Sequence, residues 1–155
     1  LEFRRVLFRS DPDGEMGEAH EPETHLIPRM IQNIDNFELN GNDYKTPDGT
    51  CIRDYVHVSD VAEAHVTAAN HLYNKNASVT LNLGTGKGHS ILEMLKELEK
   101  ITGKKIEYTV KPRRQGDADS LVADTYLARK ILRYAPKHDI ASILSTAYKW
   151  HTKGE

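Results

Sequence analysis

Residues 41–58 read Gly41-Asn42-Asp43-Tyr44-Lys45-Thr46-Pro47-Asp48-Gly49-Thr50-Cys51-Ile52-Arg53-Asp54-Tyr55-Val56-His57-Val58. The stretch changes character at its middle. Its first half is turn chemistry, with Pro47-Asp48-Gly49 at the tip. Its second half, Ile52 to Val58, is rich in β-branched and aromatic residues and reads as a strand. Ser59 or Asp60 then stands where a helix N-cap is expected, and Val61, Ala64, Ala68 and Leu72 give that helix an apolar face. Turn, strand and helix in immediate succession predict an α/β chain.

The flanks repeat the pattern. Asp11 to Glu23 holds two Pro, two Gly and six acidic residues and predicts a loop. Leu26, Ile27, Met30, Ile31 and Ile34 follow at helical spacing, with Pro28 tolerated because first-turn N–H groups have no helical partner. Phe37 to Asn40 predicts a short strand. Downstream, Val79 to Leu83 predicts a strand running into the turn Gly84-Thr85-Gly86-Lys87-Gly88. Ser90 and Glu93 form a capping box before a helix carrying Ile91, Leu95, Leu98 and Ile101, with Gly103 as its stop. Ile106 to Val110 predicts a strand and Lys111 to Ser120 a polar loop. Two helices follow, Tyr126 to Leu132 and Asp139 to His151, the last with Ile140, Ile143, Leu144, Ala147 and Tyr148 facing inward. Amphipathic helices need a sheet to cover, and the chain supplies only part of one, which points to a missing partner segment.

Composition narrows the function classes. In 155 residues, 38% are hydrophobic and 28% charged, with a net charge of −2. That balance gives no electrostatic footprint for nucleic acid or an anionic membrane. No apolar run approaches the roughly 20 residues of a membrane helix. The one cysteine, Cys51, excludes an internal disulfide and fits a reducing, cytoplasmic location. Residues 1–10, with Arg4, Arg5 and Arg9 among Leu and Phe, read as a non-native scar or vector-like segment, which leaves 11–155 as the folded portion.

Several motifs invite chemistry. Gly84 to Ser90, between strand and helix, has the outline of a dinucleotide phosphate loop, but its spacing is G-x-G-x-G, not G-x-G-x-x-G, and it equally suits a tight structural turn. Tyr126 and Lys130 share a helix face, but far from any dinucleotide fingerprint. The eight histidines show no metal-ligand spacing. Arg113-Arg114-Gln115-Gly116-Asp117 can fork onto phosphate oxygens or form a solvated basic turn. Arg53 can pair with Asp54 or Asp60 or reach an anion.

In order along the chain, His25-Leu26-Ile27-Pro28, Gly41 to Tyr44, Asp48 to Val58, Asn82 to Gly86, and Arg113-Arg114-x-Gly116-Asp117 together resemble the UDP-glucose 4-epimerases of the extended short-chain dehydrogenase/reductase superfamily. The resemblance implies a partial fold: the C-terminal, substrate-binding portion, with the N-terminal Rossmann domain largely missing. It implies an NAD-dependent isomerase of galactose metabolism, in which hydride leaves the hexose C4, the 4-keto sugar rotates, and hydride returns to the other face. The NAD loop and the Tyr-x-x-x-Lys base of the family precede this region, so no catalytic or cofactor-binding residue is expected here, and the fragment alone is expected to be inactive.

What the resemblance carries over is a clamp for UDP-hexose. Arg53 and Arg114 match the arginines that hold the diphosphate, and Asp117 the acid that binds the uridine ribose. His25 and Leu26 match the helix start that meets diphosphate and ribose. Glu38, Leu39 and Asn40 match the strand along the uracil, Asn40 replacing the family's usual aromatic residue. Leu121 stands where the family controls room for an N-acetyl group. The parent is expected to be a homodimer that binds neither nucleic acid nor membrane. The alternatives are a non-catalytic nucleotide-sugar-binding module and another nucleotide-sugar epimerase or dehydratase.

Overall fold

A computed structural model describes residues 7–8, 10–75 and 78–153. Its elements in chain order are β1 (Leu7–Phe8), α1 (Leu26–Gln32), β2 (Phe37–Asn40), β3 (Ile52–Arg53), β4 (Val56–His57), α2 (Val58–Lys75), β5 (His89–Ser90), α3 (Ile91–Thr102), β6 (Tyr108–Lys111), β7 (Ser120–Leu121), α4 (Tyr126–Leu132) and α5 (Ile140–His151). The strands form small sheets: β1 with β4 in parallel, β2 with β6 in parallel, and a three-stranded sheet ordered β5-β3-β7. Strand β3 runs antiparallel to β5 and parallel to β7.

The main core lies where α1, α3 and α5 meet the β2–β6 pair, and it buries Ile27, Met30, Phe37, Leu39, Leu98, Ile143 and Leu144 almost completely. A smaller core between α2 and α4 is built from Ala64, Ala128, Leu132 and Tyr134. Helix α3 begins as its sequence prescribes: Ser90 Oγ accepts the Glu93 N–H while Glu93 reaches back to the Ser90 N–H, and Gly103 ends the helix at φ +67°. Asp139 caps α5 by accepting the Ser142 N–H at 2.9 Å.

The expected strand over Ile52 to Val58 is interrupted, its two ends joining different sheets. Asp54 turns its carboxylate toward the Gly84–Gly86 turn, and Tyr55 enters the main core, so the pleat stops between them. Val79 to Leu83 is not a strand: no ladder partner reaches it among the described residues, and Leu81 and Leu83 pack against the smaller core instead. Strand β6 starts two residues later than expected, because Ile106 is buried and its N–H is taken by Glu99 Oε1 at 2.9 Å. Leu7–Phe8, left out of the fold on sequence grounds, pair with Val56–His57.

Helix α2 starts at Val58, ahead of both expected caps. Asp60 is instead buried and accepts the Lys137 and His138 N–H groups at 3.0 and 3.2 Å and the His138 imidazole at 3.0 Å, which ties the segment before α5 to α2. Beside it His57, fully buried, accepts the Ser59 N–H at Nδ1, so its proton sits on Nε2, 3.2 Å from Thr146 Oγ1. Leu72, expected inward, is about half exposed, and Ala62, Val66, Ala69 and Tyr73 lie along one exposed side of α2. Among the described residues, no helix is long and apolar enough to cross a membrane.

Candidate functional site

The site is organised around β3. In register, Arg53 lies between His89 of β5 and Leu121 of β7. Its side chain is mostly buried, with Nη1 donating to the Ile52 carbonyl at 2.7 Å and Nη2 to Asp117 Oδ1. The other Asp117 oxygen accepts from Tyr44 Oη at 3.0 Å. Asp117 thus joins a strand, a turn and a loop through two side-chain donors.

Tyr44 is itself held. Only 4% of it is exposed, and the Arg113 guanidinium lies 4.2 Å from the centre of its ring. Arg113 also donates to the Asp117 carbonyl at 3.2 Å and to Asp119 Oδ1 at 3.3 Å. Gly41, at φ +80°, lets the end of β2 approach this stack: a Cβ there would stand 2.6 Å from the Tyr44 ring and 2.7 Å from Arg113 Cβ. Burial and the hydrogen bond to Asp117 push the Tyr44 hydroxyl up to about 12, so it remains a donor at neutral pH. Behind it, burial raises the Cys51 thiol, and the Tyr55 hydroxyl is buried without a hydrogen-bond partner among the described residues.

Arg114 occupies the same turn as Asp117, whose N–H donates to the Arg114 carbonyl at 3.3 Å. Its side chain is exposed and makes no hydrogen bond or ion pair among the described residues. The edge therefore combines a carboxylate, two engaged guanidiniums and a free one, which suits an anion with several acceptor oxygens.

On the other side of β3, Asp54 accepts from Thr85 N at 2.9 Å, Thr85 Oγ1 at 2.6 Å, Gly86 N at 2.9 Å and Ala123 N at 3.3 Å. Those of Thr85 and Gly86 are the kind of amide a phosphate loop would offer its ligand. The first turn of α3 is occupied as well, Leu92 N by Thr50 Oγ1 and Glu93 N by Ser90 Oγ. The Thr85 and Gly86 amides are thus spent on Asp54 within the fold.

The expected site residues divide into groups. Arg53, Asp117 and Leu121 come together, and Arg114 shares their loop. Glu38, Leu39 and Asn40 lie on β2, joined to that loop through Gly41. Leu39 is buried in the main core, so its side chain faces away from any ligand. Glu38 pairs with Lys111 at 3.3 Å and Arg29 at 3.8 Å. His25 and Leu26 open α1, with His25 near Glu18 and Glu23 at 3.5 and 3.3 Å, and neither bonds to the Arg53–Asp117 pair. Tyr44 was missed. Its signal was its place in the Gly41 to Tyr44 block, where a single tyrosine in a turn carries no chemistry by spacing.

The model of the NAD dependent epimerase/dehydratase family matches residues 13–84. A UDP-glucose 4-epimerase of Lactobacillus helveticus is 48% identical over 144 residues, 90% of this chain and 44% of that protein. One from Rhizobium meliloti is 43% identical over 97% of this chain and 49% of its own length. Among solved structures, UDP-glucose 4-epimerase from Stenotrophomonas maltophila, with bound NAD and formylated UDP-arabinopyranose, superposes with a TM-score of 0.89 at 37% identity, covering 94% of this chain and 45% of that one. The Brucella ovis enzyme in complex with NAD gives 0.86 at 44% identity, covering 92% and 45%. The chain spans about half the length of the curated relatives it matches. By these matches the chain resembles the NAD dependent epimerase/dehydratase family, and within it the UDP-glucose 4-epimerases.

Proposed function

We propose that residues 11–155 are the C-terminal, UDP-sugar-binding portion of a UDP-glucose 4-epimerase that interconverts UDP-glucose and UDP-galactose in galactose metabolism. The observation that carries this reading is the Arg53–Asp117–Tyr44 cluster with the free Arg114 on the same turn. Arg53 and Arg114 hold the diphosphate, whose charge needs forked donors that stay protonated. Asp117 accepts from the ribose hydroxyls. The backbone of β2 offers its Asn40 end to the uracil, Leu121 borders the sugar, and the start of α1 at His25 and Leu26 closes the far side. NAD, bound by residues outside this chain, takes and returns the C4 hydride in the whole enzyme. This chain's own task is to fix the nucleotide while the hexose end stays free to turn. The whole enzyme is a cytoplasmic homodimer on this reading.

The test has two arms. Purified chain mixed with UDP-galactose and NAD forms no UDP-glucose. The same chain fused behind the N-terminal half of the Lactobacillus helveticus enzyme turns over, and Arg53→Ala or Arg114→Ala in that fusion lowers kcat/KM at least tenfold, removing a charge-assisted contact worth about 1.5–3 kcal/mol. Robust turnover by the chain alone, or a fusion indifferent to both substitutions, overturns the reading.

A further inference from the structure

We propose that Tyr44, steadied by Arg113, is a positioning residue that keeps Asp117 in place while Arg53 moves from that carboxylate to an incoming diphosphate. The inference rests on the nucleotide-binding reading above. Arg53 and Asp117 are assigned to different parts of the ligand, yet here they pair with each other. Both are therefore oriented before a ligand arrives, but Arg53 is not free. A diphosphate must compete with Asp117 for the guanidinium, and once it wins, Asp117 loses a donor. Tyr44 Oη, on the opposite carboxylate oxygen at 3.0 Å, is the donor that remains.

The geometry suits Tyr44 to that role. Its ring packs against both the Gly41 backbone and the Arg113 guanidinium, which limits how the hydroxyl can move away from Asp117. Arg113 in turn is fixed by the Asp117 carbonyl and Asp119. The second arginine of the Arg113-Arg114 pair is thus the one left for ligand, and the first braces the tyrosine. Selectivity for a nucleoside diphosphate over bare diphosphate then depends on Tyr44, although Tyr44 need not touch the ligand.

The experiment is isothermal titration of the 155-residue chain, wild type and variant, with UDP and with inorganic diphosphate, thermal midpoints recorded alongside. Tyr44→Phe lowers UDP affinity about tenfold and leaves diphosphate affinity within about twofold. Asp117→Asn releases Arg53, so it strengthens diphosphate binding at least threefold while weakening UDP. A purely structural Tyr44 would weaken both ligands together. If wild type prefers UDP and Tyr44→Phe keeps the same UDP-to-diphosphate ratio, the positioning role is overturned and the nucleotide reading stands. If wild type shows no preference for UDP over diphosphate, the nucleotide reading itself falls, and this inference with it.

Discussion

Asp54 and Asp117 are two carboxylates on either side of one strand, and they are held by different kinds of donor. Asp54 collects three backbone amides and the Thr85 hydroxyl. Asp117 collects two side chains, Arg53 and Tyr44. Backbone donors cannot leave without moving the chain, whereas side chains exchange partners by rotating. The first arrangement builds a frame, and the second leaves a group able to change its bonding when a ligand arrives. Arg53 ends β3 and Asp54 follows it directly, so the frame and the exchangeable site share a single peptide link.

The sharpest way to break this comparison is to remove each carboxylate in turn. Asp54→Ala should cost about 2–4 kcal/mol of stability in denaturant unfolding, because four donors lose their acceptor at once. Asp117→Asn should cost under about 1 kcal/mol, its ion pair being partly solvated, with its effect on UDP binding instead. Equal stability losses would dissolve the distinction. Next in size is Gly84→Ala. A Cβ there would stand 2.4 Å from Asp54 Oδ2 and 2.7 Å from Ala123 Cβ, so a loss of about 2 kcal/mol is expected on the frame side. Gly116→Ala probes the loop of Asp117. Gly116 sits at φ +78° with no neighbour within 4 Å, so only backbone strain opposes the methyl, about 1 kcal/mol.

Mild acid gives the smallest expected effect and reports on the frame alone. Burial lowers the His57 pKa below 6.5, with His138 adding to the shift, while Asp60 and Asp11 pull the other way. Burial also lowers His151, against an upward pull from Glu23 and Glu18. Both are neutral in the fold and take up protons more readily when unfolded. Their contribution is therefore complete above about pH 6.5 and is lost as pH falls below it. The thermal midpoint should decline from about pH 6.5 downward, and His57→Gln should flatten the slope. A midpoint that stays level to pH 5 would show that neither ring is held neutral.

Much of the frame was legible because its signals are local. The Ser90–Glu93 box, the Gly103 stop, the Asp139 cap and the inward face of α5 each depend on residues within a turn or two of one another. Strand limits were less legible, because ladders depend on partners distant in sequence. Val79 to Leu83 has strand composition and no ladder partner among the described residues, and Ile52 to Val58 is divided by the separate obligations of Asp54 and Tyr55. Of the candidate site, Arg53, Arg114 and Asp117 were visible through their motif context, as residues the resemblance proposes for the ligand. Tyr44 was not, since its bond to Asp117 spans 73 residues and leaves no local trace. Residue type alone does not separate the arginines at 113 and 114; the resemblance assigns Arg114 to the diphosphate, and Arg113 lies against the Tyr44 ring while Arg114 is in solvent.

Helix α2 bears on how the molecule behaves in the hand. Val66 and Tyr73 lie on its open side at 63% and 89% exposure, and Leu72 nearby is half uncovered. Full burial of a Val or Leu side chain is worth about 1.5–3 kcal/mol, and these partly exposed residues forgo a share of it. The isolated chain can recover part of that by adsorbing to plastic, taking up a fluorogenic dye or clustering at high concentration. Titrations are therefore best run dilute, where colloidal losses do not imitate weak binding.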